Sequence, residues 1–218
     1  MDNDVNNQSN NSLQGHVQDV ISGKRRFENI YQSLTRLILG SPDNLKKVNI
    51  NGKSTFDFLV FRNGKRHIVG MHDELNSFVS YIKDAAENGS SKEMSFVLIG
   101  EPGNGKTFFV DYLSSMYRNF ISQPDNNRFT FQFKNLIDLG TYGQLNRAES
   151  QTFEDPMILA MNLFDTKNEN IEFIKKLGAT DKQIDKFYEN YRPLGACSDY
   201  ILQELKEHTD YDFEKLLS

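Results

Sequence analysis

Residues 94–107, MSFVLIGEPGNGKT, set the architecture expected of this chain. The first six are apolar apart from Ser95, which predicts a short strand covered on both faces in a parallel sheet. Gly100-Glu101-Pro102-Gly103-Asn104-Gly105-Lys106-Thr107 then match the phosphate-loop pattern G-x-x-x-x-G-K-S/T at every fixed position. Glycines without Cβ let the chain curl so that consecutive backbone N–H groups point inward. The helix opening near Lys106 aims its positive dipole end at the same anion. In such a site the loop and the adjacent Phe108 contact the nucleotide. Lys106 lays its ammonium between the β- and γ-phosphates, and the Thr107 hydroxyl is an inner ligand of Mg²⁺. With glycine at about 7% of residues, the fixed positions coincide by chance in roughly one chain in a hundred of this size.

On the C-terminal side, Phe108, Phe109, Leu113, Met116, Tyr117 and Phe120 mark a helix, and the turn at Pro124 to Asn127 leads into RFTFQF, a strand over Arg128 to Phe133. Strand, loop, helix, turn and strand make a βαβ unit whose two strands run parallel under the right-handed crossover rule. On the N-terminal side, Leu75, Phe78, Val79, Ile82, Ala85 and Ala86 give one buried stripe to a helix over Asp73 to Asn88, closed by Gly89. Thr55 to Phe61 reads as a strand, with a hairpin-type turn at Asn63-Gly64 before Arg66 to Val69. Arg26 to Leu39 is an amphipathic helix stopped by Gly40-Ser41-Pro42.

Residues 1 to about 23 are poor in large apolar side chains and rich in Asn, as in a disordered tail. Beyond Gly140 the pattern turns helical. Glu169 to Leu177 forms one helix, Thr180 with Gln183 caps a second that ends before Pro193, and Ser198 caps a third near Asp199 to Lys206. The fold class expected is therefore α/β: a P-loop NTPase parallel-sheet core flanked by helices, with a disordered N-terminal tail and a helical C-terminal region. The segments fall at 1–23, 24–60, 61–165 and 166–218.

The 218 residues carry 25 Lys and Arg against 30 Asp and Glu, a formal net charge of −5. Nonspecific attraction to nucleic acid or to an anionic membrane is then not the default, and a polyanion must be held by a local site. The single cysteine, Cys197, closes no internal disulfide and builds no Cys-rich metal cage, so it reads as a small buried apolar residue in a reducing compartment. The N-terminal residues lack a signal-peptide pattern, and no apolar run approaches the ~20 residues of a membrane span, so a cytoplasmic protein is expected. His16, His67, His72 and His208 are scattered without ligand spacing. Arg147 and Arg192 read as solvated surface residues, although either is the kind of side chain that reaches a neighbour's γ-phosphate.

Cleaving a terminal phosphate also needs carboxylates behind the metal and beside the nucleophile, usually after an apolar strand. Asp138 follows Leu136-Ile137, but Lys134-Asn135 interrupts that run. Asp165 follows the better run, Met157 to Phe164, with Thr166 where a catalytic Glu is expected. Lys106 and Asp165 are the candidate catalytic residues.

The loop GEPGNGKT resembles that of AAA+ ATPases, and His67-Ile68-Val69-Gly70-Met71 ahead of the next helix looks like the segment that closes over adenine there. The resemblance implies that Ile68, Val69 and Gly70 contact the base; the alternative is that Ile68 and Val69 are core residues. Within AAA+, VSYIKDAAENG, SFVLIGEPGNGKT, RFTFQF and FEDPMILAMNLF are similar in order and spacing to the AAA-type domain of PrkA serine protein kinases. FYENYRPLGACSDYILQELKEHTDYDFEKL looks like that family's downstream helices. The likeness covers roughly residues 60 to 215. Asn104 and Thr107 depart from the family's loop, which has more glycines and a Ser after the Lys. The chain also stops short of the family's second acidic motif and its kinase-like region.

The resemblance implies an Mg-ATP-binding domain. ATP hydrolysis or phosphoryl transfer to a Ser or Thr of a protein substrate would follow if a partner chain, a continuation or Asp165 completes the site. A homo-oligomer follows only by analogy with ring-forming relatives. The alternatives are a helper ATPase of the DNA-replication or transposition loader type and a nucleotide-sensing module without turnover.

Overall fold

The structure is a computed structural model that describes residues 12–62, 67–134, 136 and 147–209. In chain order the elements are α1 (Leu13–Ile21), α2 (Ile30–Leu39), β1 (Leu45–Ile50), β2 (Lys53–Phe58), α3 (His72–Ala86), α4 (Lys106–Ile121), β3 (Gln132–Lys134), β4 (Arg147–Glu149), α5 (Pro156–Ala160), α6 (Lys167–Lys176), α7 (Asp181–Tyr188) and α8 (Ala196–His208). No described helix is long and apolar enough to cross a membrane.

Local chemistry explains the boundaries. Asn29 with Gln32, Thr166 with Glu169 and Thr180 with Gln183 each form a reciprocal capping box at the starts of α2, α6 and α7. Asp155 accepts from the Met157 N–H at 2.9 Å and Pro156 occupies the first turn of α5. β1 and β2 pair antiparallel around Asn51 and Gly52, both left-handed (φ +52° and +81°), the twist a two-residue hairpin requires.

The expected parallel-sheet core is not formed among the described residues. Among the described residues there are two small antiparallel sheets, β1 with β2 and β3 with β4, in a structure built mostly of helices. Residues 94–99 enter no ladder. Phe96 and Leu98 pack on an apolar core, whereas Val97 and Ile99 are 68% and 91% exposed. The segment is packed on one side, and a six-residue apolar run does not by itself distinguish that from a strand covered on both faces. Of RFTFQF only Gln132 and Phe133 join a strand, which pairs antiparallel with β4 rather than continuing a βαβ unit. Over residues 12–23 the expected tail is likewise corrected, because α1 is a helix with Val17 and Val20 buried, while residues 1–11 lie outside the described residues. Asn63-Gly64 and Arg66 lie outside the described residues, and the hairpin turn that is described falls at Asn51-Gly52.

The chain divides into two compact units, boundaries that differ from those expected from sequence. One is continuous, Glu28–Pro124. Its core gathers Leu34 and Ile38 of α2, Phe58, Phe61 and Ile68, the stripe Leu75, Phe78, Val79 and Ile82 of α3, and Phe109 of α4. The stripe on α3 is the one read from the sequence.

The other unit is discontinuous, Met1–Phe27 with Asp125–Ser218. Its centre is α5, where every residue from Pro156 to Ala160 is buried. A helix apolar on all sides belongs in the middle of a core. Val17 and Val20 of α1, Phe131, Phe133, Ile174, Ile184 and Leu202 surround it. Buried His16 joins the segments, its Nδ1 accepting from Arg25 at 3.0 Å and its Nε2–H donating to Asp155 at 3.3 Å.

Candidate functional site: the Gly100–Thr107 loop

The loop belongs to the continuous unit and runs from the extended residues 94–99 into α4. Gly103 and Gly105 take φ of +88° and +76°, a region where a Cβ costs about 1–2 kcal/mol, so the curl needs glycine at these two places. Asn104 N–H donates to the Glu101 carbonyl at 3.4 Å, closing the turn. The first helical bond of α4 runs from Phe109 N–H to the Gly105 carbonyl at 2.8 Å. Gly105 offers no side chain as a cap, so the N–H groups of Lys106, Thr107 and Phe108 keep no capping acceptor.

Lys106 folds back across the loop. Its Nζ donates to the carbonyls of Gly100 at 2.5 Å and Glu101 at 2.7 Å. Beside it lies an open hollow of about 430 Å³ lined by Pro102, Gly103, Gly105, Lys106, Thr107 and Phe108. Loop backbone, a helix N-terminus and an ammonium therefore meet at one concavity, with no carboxylate among its lining residues. That chemistry fits a polyphosphate. Thr107 is exposed and lines the hollow. Among the described residues no group of three or more His, Cys, Asp or Glu side chains is placed to hold a metal by itself.

The other expected site residues are placed differently. Ile68 is 2% exposed and belongs to the core of the continuous unit, so its side chain is not open to a base, while Val69 is 79% exposed. The segment is strapped by Arg62, which donates to the carbonyls of Ile68 and Gly70, lies 3.2 Å from His72 Nδ1 and pairs with Asp57 Oδ1 at 2.7 Å. Sequence patterning gave no sign of that clamp, because its partners are set by folding rather than by spacing.

Asp165 belongs to the discontinuous unit. The run before it is not a strand but α5 and a following turn. Its carboxylate accepts from Lys206 of α8 at 2.8 Å, and the lysine is 1% exposed while the aspartate is largely exposed. Asp138 lies outside the described residues. Arg147 and Arg192 are both exposed, and Cys197 is exposed on α8 rather than buried.

One buried acid escaped the sequence. Glu154 receives Ser150 Oγ at 2.8 Å, Ser198 Oγ at 2.6 Å and the Gly195 N–H at 2.6 Å. Burial pushes its carboxyl up, but the hydrogen bonds from Ser198, Gly195, Ser150 and Thr152 outweigh it and hold the group below its ordinary value. This is a structural brace between the turn before α5 and the start of α8.

No family model matches the sequence, and comparisons with curated proteins and with solved structures find no match.

Proposed function

We propose that the chain binds Mg-ATP through Gly100 to Thr107. The observation that supports this is the convergence of left-handed Gly103 and Gly105, the uncapped N-terminus of α4 and the Lys106 ammonium on one hollow. In this reading Lys106 exchanges two carbonyl acceptors for phosphate oxygens, a stronger charge-assisted pairing. The N–H groups of Lys106, Thr107 and Phe108 at the start of α4 take the remaining oxygens, and Thr107 stands ready for Mg²⁺. The metal, when bound, screens phosphate charge and polarises the terminal phosphoryl group.

Lys106→Ala, with folding verified by circular dichroism, is expected to lower ATP affinity at least a hundredfold in calorimetry; unchanged affinity removes the reading. Phosphoryl transfer to protein Ser or Thr, as the PrkA likeness implies, is the finer proposal. It predicts ³²P on a protein acceptor from γ-labelled ATP. The engagement of Asp165 by Lys206 favours a second reading, a nucleotide-sensing module that binds without turnover. In that case ATP binds tightly and no labelled phosphate is released.

A further inference from the structure

Two adjacent aromatic residues of α4 part company at the loop. Phe109 enters the core, its ring 5.1 Å from that of Phe78. Phe108 stays 37% exposed and lines the hollow together with Lys106 and Thr107. Its ring is backed by Tyr112, one turn further along, at 5.9 Å between centroids. Tyr112 is itself anchored, because its hydroxyl donates to the Val60 carbonyl at 3.1 Å.

A phosphate chain has no use for such a surface, because the face of an aromatic ring is negative and repels anions. A nucleobase is a flat heteroaromatic ring, and stacking on a positioned aromatic side chain is the contact it makes most readily whatever its identity. The volume of the hollow, about 430 Å³, lies within the range of small-molecule sites, roughly 300–1,000 Å³. We propose that Phe108, supported by Tyr112, is the stacking platform for the base. The preferred ligand is then a nucleoside triphosphate rather than inorganic polyphosphate, with adenine and guanine accepted about equally. This inference rests on the polyphosphate reading of the loop.

The test is calorimetry on the full chain with Mg²⁺ and, in turn, ATP, GTP and tripolyphosphate. It compares the wild type with Phe108→Ala and Phe108→Tyr, each checked by circular dichroism. Phe108→Ala is expected to weaken ATP and GTP roughly tenfold while leaving tripolyphosphate within a factor of two, and Phe108→Tyr to restore nucleotide affinity. Unchanged ATP affinity in Phe108→Ala, or an equal loss for ATP and tripolyphosphate, overturns the platform and leaves the phosphate loop standing. A wild type that binds none of the three ligands overturns both.

Discussion

Glu154 shows how a single side chain ties distant segments together. Its carboxylate joins Ser150 to Gly195 and Ser198 at the start of α8, and the group is 2% exposed. Glu154→Gln removes the charge that Ser150, Thr152, Gly195 and Ser198 are arranged to meet. It is expected to lower stability by about 2–4 kcal/mol in urea unfolding at pH 7. The same group fixes a pH dependence. Its folded pKa lies below the ordinary 4.5, so its stabilisation is fully present above that pH and is lost as pH falls through the lower folded value. The wild type should therefore lose stability below about pH 4.5 more steeply than Glu154→Gln. Parallel slopes for the two proteins would show that the carboxylate carries no such coupling.

At the scale of elements, signals that rest on a local mechanism survive and those that rest on hydrophobicity alone do not. The stripe of α3 and the capping box of Thr180 with Gln183 are both found as the residues dictate. Each depends on neighbours within a few positions. The strand expected at 94–99 and the one expected before Asp165 depended on which faces become covered, and that is decided by residues far along the chain. In the candidate site, Gly103, Gly105, Lys106, Thr107 and Phe108 line one hollow, but the Arg62 clamp and the Lys206 partner of Asp165 leave no mark on the sequence.

Turn chemistry carries its own test. Gly52 adopts φ +81° with open space around it, so Gly52→Ala meets backbone strain and no clash. The expected loss is about 1 kcal/mol, read as a drop of a few degrees in melting temperature.

For the whole molecule, the continuous unit has its own core and both its ends lie in one stretch of chain. The segment 28–124, expressed alone, is expected to melt cooperatively by circular dichroism and to bind tripolyphosphate as tightly as the full chain. A non-cooperative melt would show that its core is not self-sufficient.

The discontinuous unit has a different history, because α1 is made early and its partners late. His16 meets Asp155 across 139 positions, and the Ile21 carbonyl accepts from Gln183 across 162. At ~5–20 residues per second of ribosomal synthesis, Val17 and Val20 wait on the order of ten seconds or more before α5 emerges to cover them. During that interval the nascent chain displays an uncovered greasy ridge along α1, a natural foothold for chaperones at the ribosome.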